Sequence, residues 1–149
     1  TPGHTKDHMA YYVPALHALF SGDCLFNGGC GRIFEGTAAD MLHALDTLAQ
    51  LPPDTLVYSA HEYTLANMQF ATLVEPDSPA IRDRKKQVEN LIAHNHPAVP
   101  ATLSEEKLTN PFLRVRETTV IQAASRHAGH PIIDPIIVLS TLREWKNLI

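Results

Sequence analysis

The run Leu56-Val57-Tyr58-Ser59-Ala60-His61-Glu62-Tyr63-Thr64 decides how the chain is organised. Its first four residues suit a short buried strand, and the polar His-Glu pair ends it. Upstream, strand-like runs alternate with helix; downstream, helix follows helix. The sequence therefore predicts an α/β unit over residues 1–62 and an all-helical unit over 63–149. Working back, Thr37 and Asp40 form a capping-box pattern for a helix with Met41, Leu45, Leu48 and Leu51 as its buried stripe and Pro52-Pro53 as its stop. Residues 9–13 and 16–20 read as neighbouring strands on either side of Pro14, and Asn27-Gly28-Gly29-Cys30-Gly31-Arg32 as a tight loop. Working forward, residues 64–74 form a helix carrying Leu65, Met68, Phe70 and Leu73. Ser78 and Pro79 start the next, with Ile81, Val88, Leu91 and Ile92 on its apolar face. A proline-punctuated loop spans 97–116, a helix runs over 118–127 to the Gly129-His130-Pro131 break, and Asp134-Pro135 caps a last helix to about Lys146.

The 149 residues fit one ordinary domain or two smaller units. A net charge of -4, with basic residues set among acids as in the 82–86 run, argues against a nucleic-acid face; that run reads as a solvated helix surface. No apolar stretch approaches the roughly 20 residues of a membrane span and no signal peptide is visible, so a cytoplasmic protein without membrane partners is the default expectation. Cys24 and Cys30 form neither a disulfide framework nor a zinc-ribbon pair and read as free thiols. Thr1-Pro2-Gly3-His4 leads almost directly into an apolar run, which reads as a chain entered midway.

The candidate chemistry lies at three points, His4, Asp23 and His61, each placed at a predicted strand end. Two imidazoles and a carboxylate suit Zn or Fe better than the oxygen-seeking Mg or Ca. The three cannot share a helix face, so a sheet must bring their loops together. A carboxylate can bridge two cations while each imidazole holds one, and water between two metals becomes hydroxide near neutral pH. Spacing alone equally fits three polar loop residues with no ligand role, and a binuclear site needs more ligands than these. His8 could orient a ligand, though pairing with solvent or backbone is the plainer reading. His17, His43, His94, His96, His127 and His130 read as surface or helix-end residues.

The words around the trio carry a resemblance. Thr-Pro-Gly-His-Thr (1–5), Gly-Asp-Cys-Leu-Phe (22–26), Gly-Gly-Cys-Gly-Arg-Ile-Phe-Glu-Gly-Thr (28–37), Leu-Pro-Pro-Asp-Thr (51–55), His-Glu-Tyr-Thr (61–64) and Asn-Pro-Phe-Leu-Arg (110–114) resemble, in order and over nearly the whole chain, the glyoxalase II or hydroxyacylglutathione hydrolase family. The resemblance implies the C-terminal half of a metallo-β-lactamase αββα sandwich over 1–62, followed by a helical substrate-binding domain over 63–149. It implies hydrolysis of S-D-lactoylglutathione to D-lactate and glutathione by a metal-bridging hydroxide. His4 would hold one of two divalent metals, His61 the other, and Asp23 would bridge both; these three are the catalytic set. Zn is the first expectation, with Fe or Mn as alternatives. Arg32, Phe34, Tyr63, Arg143 and Lys146 match substrate-binding positions. The family's Thr-His-X-His-X-Asp-His motif is absent, so the missing N-terminal half is expected upstream or from a partner. Cys24 stands where Thr is common, as a donor supporting a metal ligand, a stray soft ligand or a buried inert thiol, and Phe34 where some members have Tyr. The long helical segment argues against the related sulfur dioxygenases. The alternative is a truncated, non-catalytic chain that keeps the glutathione-facing surface or pairs with a partner.

Overall fold

The computed structural model describes residues 1–149 and has a mixed α/β fold. Strands β1 (Tyr11–Val13), β2 (Ala18–Gly22), β5 (Leu56–Ser59) and β6 (Ala101–Thr102) form one sheet in the order β1-β2-β5-β6. A second, two-stranded sheet pairs β3 (Leu25–Phe26) with β4 (Gly29–Cys30). The central pair β2 and β5 is parallel, with Leu19 opposite Val57, while β1 and β6 add antiparallel edges. A parallel pair needs a crossover, and α1 (Ala38–Leu48) supplies it. Its start is the predicted capping box: the Thr37 hydroxyl accepts from Asp40 N, and the Asp40 carboxylate accepts from Thr37 N. The helix ends at Leu48, ahead of Pro52-Pro53, and Leu51 packs against the core from the turn beyond it.

Five helices follow: α2 (Thr64–Val74), α3 (Pro79–Ala93), α4 (Leu103–Thr109), α5 (Thr118–Ala128) and α6 (Pro135–Asn147). Ser78 and Asp134 cap α3 and α6 through their side chains, each with proline at the first helical position. Gly129 ends α5 at φ 81°, the left-handed conformation glycine adopts without strain. The main core takes Leu19 and Val57 from the sheet, Met41 and Leu45 from α1, Phe70 from α2 and Leu139 and Leu142 from α6. Residues on both sides of position 62 thus share one core. No helix is long and apolar enough to cross a membrane.

Three expectations are corrected. The segment 97–116 is not loop throughout: it contains β6, α4 and a 3-10 turn over Pro111–Leu113. Pro100 and Pro111 lie outside α4, and between them Thr102 accepts from Glu105 N, acids occupy the first turn and Lys107 the last. The 82–86 run is not wholly solvated, because Arg84 is 4% exposed and pairs with the fully buried Glu106, Nη2 to Oε2 2.5 Å. Leu73 faces solvent, while Phe70 and Val74 fill the main core and Met68 and Ala71 the smaller one.

Glu75, buried at the end of α2, joins it to the segments that follow. Arg114 donates to both carboxylate oxygens at 2.9 and 3.0 Å, and the Thr119 hydroxyl donates to Oε1. Burial alone would raise the Glu75 pKa, but the hydrogen bonds from Arg114 and Thr119 and the Arg114 charge outweigh it and hold it below its ordinary 4.5. A depressed folded-state pKa gives stability that is present above the unfolded value and is lost as pH falls through the folded one. Glu75→Gln is therefore expected to lower stability at neutral pH and to flatten the acid limb below about pH 4.5. Urea titrations across that range check this; an unchanged acid limb would refute it.

Candidate active site

Parallel neighbours place their carboxyl ends side by side, and the site grows from that fact. Asp23 follows β2 directly and His61 lies just past β5, with Ala60 N donating to Gly22 O at 3.1 Å to hold the two exits together. His4 arrives differently. It is not at a strand end; it sits in a bend well before β1, strapped to the 32–36 segment by Phe34 N and Glu35 N, both donating to His4 O, and by Gly36 N donating to Gly3 O. The strap needs glycine at 36, where a Cβ would stand 2.8 Å from Gly3 Cα. Gly31 is tighter still: a Cβ there would lie 1.9 Å from Asp23 O.

These constraints bring all three side chains together. His4 Nε2 lies 3.5 Å from Asp23 Oδ2 and His61 Nε2 lies 3.4 Å from Asp23 Oδ1, so each imidazole faces its own carboxylate oxygen. His4 Nδ1 is 2.7 Å from Arg32 O, which can only accept, so Nδ1 carries a proton and in the neutral ring the Nε2 lone pair is the free one. Asp23 Oδ1 is buried with no hydrogen-bond partner. Ligands about 2.1 Å from a tetrahedral ion are about 3.4 Å apart, close to both separations and long for a hydrogen bond. No three acidic, histidine or cysteine side chains converge on one ion position. His4 with Asp23 Oδ2 and His61 with Asp23 Oδ1 make two donor pairs, each short of a full ligand set. The donors therefore fit divalent cations, with further ligands required for each.

The trio opens into a cavity of about 610 Å³ whose wall includes every substrate-contact candidate: Arg32, Phe34, Tyr63, Arg143 and Lys146. Tyr63 stacks on His61 at 5.1 Å and Phe34 lies 5.1 Å from His4, so an aromatic ring backs each imidazole. Arg32 is exposed, and neither it nor Lys146 has a carboxylate partner. Burial and the charges of Arg143 and Arg32 push the Lys146 ammonium below its ordinary pKa. Arg143 is mostly sequestered: it is 5% exposed and donates to Cys30 O at 2.6 Å and Asn147 Oδ1 at 3.2 Å, leaving its buried Nε without a partner. Cys24 is wholly buried against Met41, and burial pushes its thiol up to about 12, which suits an inert core thiol rather than a ligand.

Three contributors, Phe26, Asn67 and Glu62, were not assigned roles from the sequence. Phe26 packs at 5.3 Å from Tyr63, and Asn67 donates to Asn27 O at 3.0 Å beneath the cavity. Glu62, inside the His-Glu-Tyr-Thr word, accepts from Ala98 N and Val99 N and so pins the His61 loop. His8, expected to pair with solvent or backbone, accepts from the backbone N–H of Asp23 itself at 3.1 Å. Phe26 and Glu62 each lie inside a quoted word of the resemblance, at 22–26 and 61–64, whereas Asn67 carried no signal.

Residues 62–149 match the family model described as hydroxyacylglutathione hydrolase C-terminus, and residues 1–61 match the metallo-beta-lactamase superfamily. The hydroxyacylglutathione hydrolase of Nitrosomonas eutropha is 50% identical over 146 residues, covering 98% of this chain and 56% of the relative. That of Pseudomonas putida is 49% identical over 148 residues, covering 98% and 57%. The chain spans about half the length of the curated relatives it matches. The crystal structure of ETHE1 from Myxococcus xanthus aligns with a TM-score of 0.52 at 23% identity over 99% of this chain and 51% of that one, a likeness of fold. With its C-terminal model covering more than half of the sequence, the chain belongs to the hydroxyacylglutathione hydrolase family.

Proposed function

We propose that this chain supplies the C-terminal part of a metal-dependent hydrolase of glutathione thioesters, converting S-D-lactoylglutathione to D-lactate and glutathione. One observation carries the reading: the Asp23 carboxylate lies between two imidazole Nε2 atoms in a cavity also lined by Arg32, Arg143 and Lys146. His4, Asp23 and His61 would hold two divalent cations, Zn foremost, with Fe or Mn as alternatives. A bound divalent metal supplies a water acidic enough to attack at neutral pH and a Lewis acid for the carbonyl oxygen. The protein residues do the rest. Arg32 O fixes the His4 tautomer, and Arg32 and Lys146 offer charges for the carboxylates of the tripeptide. Phe34 and Tyr63 flank the thioester, and Arg143 holds the Cys30 carbonyl at the cavity wall. In this division residues 1–62 carry the ligands and residues 63–149 complete the substrate wall, the remaining ligands coming from an upstream segment or a partner.

The test compares this chain with one extended upstream to the length of its relatives. The extended protein is expected to bind two metal equivalents and hydrolyse S-D-lactoylglutathione, and the short chain to do neither. An extended protein that binds metal without thioesterase activity would sink the proposal. Lys146→Met in the extended protein is expected to raise KM about tenfold or more, as for loss of a charged hydrogen bond, with kcat little changed. Steady-state kinetics with the glutathione thioester decide it; an unchanged KM removes Lys146 from the substrate wall.

A further inference from the structure

We propose that His8 is a positioning residue whose Nε2 lone pair holds the Asp23 backbone N–H and thereby aims the Asp23 carboxylate between His4 and His61. The inference rests on the reading of Asp23 as a shared metal ligand. Its basis is a chain of hydrogen bonds with only one consistent direction. A backbone N–H only donates, so His8 Nε2, 3.1 Å from Asp23 N, must be unprotonated. The ring proton then sits on Nδ1, 2.7 Å from Thr1 Oγ1, and the Thr1 hydroxyl is free to donate to His8 O at 3.3 Å. Every ring nitrogen is used, and none faces the substrate: His8 is absent from the cavity wall.

The local backbone explains why such a clamp matters. The β2–β5 register is irregular between Phe20 and Gly22, so the strand ends in a break just before Asp23. Gly22 adopts φ 56°, and a Cβ at that position would lie 2.6 Å from His8 Nε2. Glycine therefore serves twice at this turn, permitting the left-handed backbone and leaving room for the imidazole. The turn is otherwise tied through Gly22 O, which accepts from Ala60 N, and Cys24 N, which donates to Ser21 O. The Asp23 N–H between these ties is held by His8, and the Asp23 side chain makes no hydrogen bond of its own. Its direction is thus set by its backbone, which His8 holds at the Asp23 amide itself.

The test uses the upstream-extended protein with Co(II) as the probe metal, alongside NMR on this chain unaltered. His8→Phe keeps the ring and removes the acceptor; it is expected to weaken Co(II) binding about 10–100-fold, the usual cost of losing a group that orients a ligand. His8→Gln restores an acceptor oxygen at similar reach and is expected to recover most of that affinity. In the unaltered chain, nitrogen NMR is expected to show an unprotonated His8 Nε2 with a through-bond coupling to the Asp23 amide. Co(II) affinity unchanged in His8→Phe, a His8→Gln variant no better than His8→Phe, or a protonated Nε2 would each overturn the inference, the last even if both variants fail to fold. Asp23→Asn is the separate control. If it leaves Co(II) binding intact, the ligand reading itself fails, and the inference with it, whatever the His8 variants do.

Discussion

Asp23→Asn in the upstream-extended protein is expected to abolish thioester hydrolysis while leaving the metal-free fold as stable as before. The two halves of that result have one cause. Asp23 places one oxygen toward His4 and the other toward His61, and an amide replaces one of those oxygens with a group that cannot ligate and removes the charge. Metal assistance contributes several kcal/mol of transition-state stabilisation, and at 1.36 kcal/mol per tenfold its loss lowers the rate on the order of 10³-fold or more. The fold has little to lose. The Asp23 side chain is 30% exposed and its buried Oδ1 makes no hydrogen bond, so in the metal-free chain the amide gives up no hydrogen bond when the two imidazoles are neutral. Urea unfolding well above the usual histidine pKa of about 6.5 separates this reading from a structural one. A variant destabilised by more than about 1 kcal/mol would mean that Asp23 is a structural residue, because that is the typical value of a net hydrogen bond.

The legible parts of this molecule were those whose cause is local. Thr37 with Asp40, Ser78 with Pro79 and Asp134 with Pro135 each announce a helix start within four residues, and each cap forms as expected. The strand at 56–59 and the helix at 64–74 fall where their composition puts them. Helix α4 was hidden because its bounding prolines read as loop when the structure uses them as punctuation. Arg84 reads as one charge in a basic run, since its partner Glu106 lies on another helix and no period links them. Within the site, the word pattern brought His4, Asp23 and His61 to attention, and the three meet. What holds them there was only partly legible: His8 stood out as a residue that could orient a ligand or pair with backbone, but its hold on the Asp23 amide and the bare Cα of Gly31 on the Asp23 carbonyl depend on a fold that places distant backbone in contact. Arg143, matched to a substrate-binding position, lines the cavity, but its hydrogen bond to the Cys30 carbonyl and its place over the Phe112 ring could not be read from the sequence.

Glu106→Ala is expected to cost the fold about 3–5 kcal/mol, the usual penalty for removing one partner of a buried ion pair, against a total stability of about 5–15 kcal/mol. Glu106 is fully buried, and its two oxygens have separate duties. Oε2 meets Arg84 Nη2, while Oε1 accepts from Gly28 N at 2.6 Å and from Asn110 Nδ2 at 3.3 Å. Asn110 in turn donates to Phe26 O and Gly29 O, so this carboxylate ties α3 and α4 to the β3–β4 hairpin. Truncation leaves Gly28 N–H without its acceptor and the Arg84 guanidinium with only the Thr109 hydroxyl and the more distant Glu105 carboxylate. The pair itself is a different matter, because desolvating two charges offsets most of their attraction. The double variant Arg84→Met with Glu106→Leu is therefore expected to regain much of the loss, and a double-mutant cycle on urea midpoints measures the coupling. Glu106→Gln can keep an acceptor for Gly28 but not the charge for Arg84, and should fall between. The damage is also expected to reach the site, because the hairpin continues through Cys30 and Gly31 into Arg32, whose carbonyl sets the His4 tautomer. If Glu106→Ala unfolds at the same urea concentration as the unaltered chain, the buried network is not what holds the hairpin, and the route from helical segment to His4 must run through the shared apolar core instead.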